Sequence, residues 1–103
     1  MYMSTKLINK VSGKSDKKQI FRIEKDFSII NIEQVRQELN EIIEKNTSFH
    51  LELKNLENFD LSSIQLLHAV KEKMKSDFTF SIELKDEIKT IIKHSGFEYL
   101  LNM

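Results

Sequence analysis

The stretch LELKNLENFDLSSIQLLHAVKEK, residues 51–73, contains the change of hydrophobic period that decides the fold. Leu51 and Leu53 alternate with polar residues, which is typical of a strand that ends near Asn55. Over residues 62–75 the spacing becomes helical, with a predicted buried stripe made of Ser63, Leu66, Leu67, Val70 and Met74. A strand followed directly by an amphipathic helix is a building unit of α/β domains.

Upstream, residues 19–30 repeat the strand period through apolar Phe21, Ile23, Phe27 and Ile29, with a turn predicted at Lys25-Asp26. Residues 5–11 are predicted to pair with this strand, joined to it by the polar turn at 13–18. The next segment, 31–46, predicts a helix with an Asn31–Gln34 capping box. Its predicted buried stripe is Ile32, Val35, Leu39, Ile42 and Ile43.

Downstream, residues 78–84 (FTFSIEL) predict another strand, and Asp86 is a candidate N-cap for a third helix that ends at Gly96. The apolar stripe of that helix is Ile88, Ile91 and Ile92. This order predicts one α/β domain over residues 1–103, with residues 1–18 forming an N-terminal strand and turn. Its mixed sheet has four to five strands, with helices mainly on one face and an opposite face that is polar or separately covered.

Composition removes several classes of function. Sixteen basic and 16 acidic residues give a net charge of zero, so nothing in the overall charge attracts nucleic acid or an anionic membrane. No apolar run approaches the roughly 20 residues that span a bilayer, and the first ten residues lack the apolar core of a signal peptide. Cysteine is absent, which suits a reducing cytoplasm. We therefore expect a cytoplasmic location without membrane insertion.

The sequence gives no positive case for catalysis, a metal or an organic cofactor. His50, His68 and His94 follow no metal-ligand spacing and are predicted to be exposed or partly exposed. Both glycines are isolated, so no glycine-rich phosphate loop is present. The charged residues of the first helix are expected on a solvated face with weak ion pairs: Arg36, Glu38, Glu41, Glu44 and Lys45.

The junction NFDLSSIQLL, residues 58–67, allows two interpretations. Ser62 with Gln65 has the spacing of a capping box, and Asp60 is an alternative cap. The same helix N-terminus also favours negative charge, so it would tolerate a phosphate on Ser62 or Ser63. Residue chemistry alone favours the cap and leaves the phosphorylation site open.

Residues 51–73, with Asp60 between strand and helix, resemble the centre of a STAS domain, the module named for sulphate transporters and anti-sigma factor antagonists. Residues 21–43 are similar to the second strand and first helix of that family. Residues 78–101 are similar to its fourth strand and third helix, including the terminal Gly96. The resemblance covers about residues 19–101 in the family's order of elements.

Within that family, DLSSIQLL, residues 60–67, is most similar to small stand-alone STAS proteins of bacterial chemotaxis and sensory gene clusters. In anti-sigma factor antagonists the phosphorylated Ser or Thr directly follows the Asp, and this position is Leu61 here. The resemblance therefore implies that the switch is lost or has moved to Ser62. We favour loss, because a rigid loop resists a shift of register and the Ser62 oxygen is expected to cap the helix.

The resemblance implies a non-enzymatic protein-protein interaction module in a bacterial cytoplasmic signalling pathway. Its docking surface is expected to contain Asp60, Leu61, Ser62, Ser63 and Gln65. Leu61 is either an exposed anchor or a core residue beneath the loop. The expected partner is a signalling kinase, an anti-sigma factor, a receptor-associated protein or a transporter subunit.

Three alternatives remain. The first is a phosphorylation-switched anti-sigma factor antagonist. The second is a cytoplasmic STAS subunit of an ABC transporter for lipids or organic solvents. The third, from a different class, is a small enzyme, which a deep pocket with clustered carboxylates or histidines would support.

Overall fold

The computed structural model describes residues 6–11, 18–87 and 90. The elements in chain order are strand β1 (Ile8–Lys10), strand β2 (Gln19–Phe27), helix α1 (Ile32–Lys45), strand β3 (Phe49–Phe59), helix α2 (Leu61–Met74), a short 3-10 helix (Lys75–Asp77) and strand β4 (Phe78–Leu84). Each of the strands and helices predicted up to residue 84 is therefore present, and the alternation of strand and helix is that of an α/β domain.

The sheet is mixed, as predicted, and its described strands lie in the order β1-β2-β3-β4. Strand β1 is antiparallel to β2, whereas β2, β3 and β4 are mutually parallel neighbours. Crossovers between parallel strands are right-handed, and both crossovers here advance in the same direction along the sheet. Helices α1 and α2 therefore cover the same face.

The core lies between that face and the two helices. Phe49, Leu51 and Leu53 on β3 have no exposed surface, and neither does Val35 on α1. The predicted stripes of α1 and α2 are buried apart from Ile43 and Met74, which are half-buried at the edge of the core. These apolar side chains fix the sheet register, because a slip of one residue would turn the whole set toward solvent.

The opposite face of the described sheet is polar. Arg22 on β2 pairs with Glu52 on β3, with Nη2 2.8 Å from Oε1. His50 contacts two hydroxyls of β4, with Nδ1 2.7 Å from Thr79 Oγ1 and Nε2 3.2 Å from Ser81 Oγ. Cross-strand polar pairs of this kind stabilise a sheet face that α1 and α2 do not cover.

Two irregularities in the sheet were not predicted. Lys25 (φ 72°) and Asn55 (φ 53°) adopt left-handed backbone conformations at register shifts, the first between β2 and β3 and the second between β3 and β4. The turn predicted at Lys25-Asp26 is therefore wrong, because β2 continues through the register shift to Phe27 and the extra residues lie on β3. Strand β3 likewise extends four residues beyond Asn55, to Phe59.

The start of α1 also differs from the prediction. Asn31 makes no side-chain cap to the helix, so the Asn31–Gln34 capping box is wrong. Its Oδ1 instead accepts from the Ser28 amide at 3.0 Å, and its Nδ2 donates to the Asp26 carbonyl at 2.7 Å. The side chain thus stabilises the turn before the helix rather than the helix itself. Ile29 lies in that turn and not on a strand.

Glu38 does not lie on a solvated face as expected. Its two carboxylate oxygens accept from the Leu7 amide at 3.1 and 3.0 Å, and one of them also accepts from the Ile8 amide at 2.7 Å. Helix α1 therefore holds the start of β1 directly. Arg36 forms the expected kind of local ion pair, with its Nη1 2.7 Å from Glu33 Oε2.

Backbone of the predicted third helix is helical at Asp86, Glu87 and Thr90. The Thr90 hydroxyl donates to the Asp86 carbonyl at 3.0 Å. The apolar stripe and the Gly96 terminus predicted for this helix lie outside the described residues. So do residues 13–17 of the polar turn predicted at 13–18.

Candidate functional site

Asp60 follows β3 directly and caps α2. Its backbone is extended (φ −138°, ψ −171°), and its Oδ1 accepts from the Ser63 amide at 3.3 Å. The Asp60 amide in turn donates to Ser63 Oγ at 3.2 Å, which completes a capping box. The cap is therefore Asp60, the alternative named from the sequence, and the Ser62–Gln65 box is wrong.

The second oxygen of Asp60 joins this helix start to the turn before α1. Asp60 Oδ2 accepts from the Ile29 amide at 2.9 Å. One carboxylate thus bonds to backbone amides from two segments that are about thirty residues apart in the chain. Hydrogen bonds between a carboxylate and backbone amides are among the stronger ones, so both segments are held at a fixed separation.

Ser63 is a structural residue with no exposed surface. Besides accepting from the Asp60 amide, its hydroxyl donates to the Phe27 carbonyl at the end of β2. This side chain therefore connects the end of β2 to the start of α2. A phosphate on Ser63 would have to displace both hydrogen bonds within a buried site, so Ser63 is unsuited to reversible phosphorylation.

Ser62 takes no part in the cap, so the expectation that its oxygen is hidden there is wrong. It is half-buried and lies at the edge of a groove between α1 and α2. We call this the α1/α2 groove. Its volume is about 280 Å³, and it is lined by Ile29, Ile32, Glu33, Arg36, Ser62, Gln65, Leu66 and Ala69.

Leu61 is exposed, with 41% of its surface accessible, which decides between the anchor and core interpretations in favour of exposure. Across from it, the turn before α1 presents Ile29 and Ile30, which are 63% and 87% exposed. These three residues are the exposed large apolar side chains of the described chain, and we call them the apolar patch. The Asp60–Ile29 hydrogen bond holds its two halves together.

Ile29 and Ile30 were missed as site residues from the sequence. Ile29 fitted the alternation that runs through Phe27, so it was assigned to the strand. The available signal was the doublet itself, because two adjacent residues of a strand point to opposite faces and cannot both enter one core. The polar Asn31 that follows marks the end of the pattern.

A larger concavity, of about 460 Å³, lies beside β1 and β2, away from Asp60. Its lining includes Lys6, Lys10 and Lys25, all exposed, and Arg22, which is committed to Glu52. It offers no buried polar group that would orient a ligand, so its size does not make it the better candidate site.

His50 is half-buried on the polar face of the sheet, within the predicted range of exposure. Burial lowers its pKa below 6.5, the Glu52 carboxylate opposes this shift, and Lys18 adds to it. His68 lies beside Glu72 with 3.8 Å between Nε2 and Oε2. Across the described residues no three His, Asp or Glu side chains are grouped to hold a metal ion.

The fold is a small α/β module in which a single acidic residue, Asp60, connects β3 to α2 and caps the helix. The STAS domain family model matches residues 9–102, and the chain belongs to that family. No curated protein matches the chain. STAS domains are generally non-enzymatic modules that bind protein partners, of the anti-sigma factor antagonist-like or transporter-associated kind. None of the helices in the described part of the chain is long and apolar enough to cross a membrane.

Proposed function

We propose that this protein is a non-enzymatic interaction module in a bacterial cytoplasmic signalling pathway, and that it docks through the Asp60 loop and the start of α2. The observation that carries the proposal is the apolar patch, whose two halves are joined by the Asp60 carboxylate. Exposed large apolar side chains gathered at one place often mark a site of protein interaction.

The residues have different roles in this proposal. Leu61 is the anchor: full burial of a leucine contributes about 1.5–3 kcal/mol, and burying the 41% of Leu61 that is exposed contributes roughly that fraction. Ser62 and Gln65, at the edge of the α1/α2 groove, supply polar contacts around the anchor. Asp60 and Ser63 fix the backbone that carries this surface, since their polar groups form hydrogen bonds with backbone partners.

The test is affinity capture of the tagged protein from its native cells. Leu61→Ser should lose a partner that wild type retains, because the anchor is gone. Lys73→Ser is the matched control, since Lys73 is exposed in the last turn of the same helix. Equal capture by wild type and Leu61→Ser would show that docking does not use this surface.

The identity of the captured protein separates the alternatives. A kinase or a receptor-associated protein supports signalling, whereas a permease with an ATPase supports an ABC transporter subunit. For a phosphorylation-switched anti-sigma factor antagonist, the favouring observation is that Ser62 takes no part in the cap and lies within the first turn of α2. That function requires a stoichiometric phosphate on Ser62 in protein isolated from the native cell, measured by mass spectrometry, together with capture of an anti-sigma factor.

A further inference from the structure

We infer that the apolar patch and the α1/α2 groove together receive an amphipathic helix of a partner protein, whose apolar side is flanked by basic residues. This inference rests on the proposed docking function and specifies the chemistry of the partner. It includes Ile29 and Ile30, which the family motif at Asp60 does not contain.

The shape of the surface favours a helix over a small molecule. The groove is small, at about 280 Å³, and none of its polar lining residues is buried so as to orient a small molecule. It lies between two helices and contains Leu66 and Ala69, four and seven residues after Ser62. A helix that docks in such a groove inserts side chains spaced at i, i+3 or i+4, and i+7.

The charges around the patch favour basic flanks on that helix. Three carboxylates, those of Asp26, Glu33 and Asp60, contribute negative charge around the patch. One guanidinium, that of Arg36, contributes positive charge, and it already pairs with Glu33. Asp26 lies beside the patch at the end of β2: its carbonyl accepts from Asn31 Nδ2, and its Oδ1 accepts from Asn58 Nδ2. The described part of the site thus carries more negative than positive charge, which attracts basic groups and disfavours an anionic lipid surface.

Two lysines near the site in sequence do not change this balance. Lys25 lines the concavity beside β1 and β2 instead. Lys85 has its Nζ 3.7 Å from Glu57 Oε2, so that pair is neutral as a unit.

The surface is also organised before binding. The turn that carries Ile29 and Ile30 is fixed by the Asn31 side chain and by the Asp60 carboxylate. A partner therefore meets apolar side chains whose backbone is already ordered, which reduces the entropy lost on binding.

The experiment is selection from a displayed library of helical peptides, with the surface positions randomised, against the full-length protein. We expect the selected peptides to share an apolar stripe at helical spacing with Lys or Arg beside it. Selected peptides with acidic flanks, or without helical spacing, would contradict the inference. So would enrichment no greater than on the Ile30→Ser variant.

The best peptide is then synthesised and its affinity is measured by fluorescence anisotropy. Ile30→Ser should weaken binding about fivefold or more, the effect typical of losing an anchor side chain. The exposed Lys73→Ser should leave the affinity unchanged, and circular dichroism should show the same fold for both variants. A peptide in which Glu replaces the basic flanks should bind about tenfold less tightly, because like charges now face each other.

Two other occupants are tested with the same proteins. Binding to phosphatidylglycerol vesicles that Ile30→Ser abolishes would replace the helix with a lipid surface. Concentration-dependent dimerisation that the same variant abolishes would replace it with a second copy. If no peptide binds while Leu61→Ser still loses its partner in cells, the helix inference is wrong and the proposed function stands.

Discussion

Removing the Ser63 hydroxyl should cost far more stability than removing that of its neighbour Ser62. Ser63→Ala deprives the Phe27 carbonyl of a donor and the Asp60 amide of an acceptor, at a position with no exposed surface. Each buried polar group left without its partner costs about 1–3 kcal/mol, so we expect the two to cost about 2–6 kcal/mol. That is a large part of the 5–15 kcal/mol that is typical of a domain.

Ser62→Ala is the matched control, because Ser62 is adjacent but takes no part in the cap. Its free energy of unfolding should change by no more than about 0.5 kcal/mol, as for most exposed or half-exposed substitutions. The assay is urea denaturation followed by circular dichroism. With a slope of about 2 kcal/mol/M, the middle of the range for a small protein, the Ser63→Ala midpoint should fall by about 1–3 M. Equal midpoints for the two variants would refute the assignment of the buried hydrogen bonds to Ser63.

Three further predictions concern other parts of the molecule. Glu38→Ala should accelerate hydrogen exchange at the Leu7 amide, whereas exposed Glu41→Ala should not, since the Glu38 carboxylate accepts from that amide; equal rates would contradict the contact. His50 has a pKa below its unfolded value of 6.5, so its contribution to stability is present above about pH 6.5 and is lost as the pH falls below that value. An NMR titration giving His50 a pKa of 6.5 or higher would contradict this, and its removal in His50→Gln should flatten that part of the stability profile. Leu61→Ser should leave the free energy of unfolding within about 0.5 kcal/mol of wild type, and a larger loss in urea denaturation would show that Leu61 is a core residue.

Hydrophobic periodicity predicted the strands and helices, because the apolar residues that repeat at the strand or helix period are the ones that the fold buries. Leu51 and Leu53 on β3 are both apolar and buried, and so are Val35 and Leu39 on α1. The chain order then predicted the parallel pairing, since a helix between two strands leaves few other connections.

The bulges were not predictable in this way. A glycine in the sequence usually indicates a left-handed backbone conformation, but here Lys25 and Asn55 adopt it. Their positions bring Phe27 opposite Phe59 at the end of the sheet, where the rings meet edge-to-face with centroids 5.8 Å apart. The backbone conformation at these two residues thus accompanies a contact between residues far apart in the sequence, which no local sequence pattern predicts.

The helix cap was ambiguous for a similar reason. Ser62 with Gln65 fits the capping-box pattern by sequence, and Asp60 is a common cap residue at the same junction, so the sequence allows either cap. The Phe27 carbonyl distinguishes them, because it accepts from the Ser63 hydroxyl and keeps that side chain buried. Phe27 lies 36 residues earlier in the chain, beyond the reach of any local rule.

The carboxylate of Glu38 has a consequence for the order in which the chain becomes structured. Strand β1 precedes the other described strands, but it has three residues, and an isolated pair of strands is marginal in water. The contact that secures its start waits for a residue about thirty positions later, on a helix that itself needs the sheet to pack against. We therefore expect the start of β1 to become fixed only once α1 has packed on the sheet, and hydrogen exchange at the Leu7 amide would report that step.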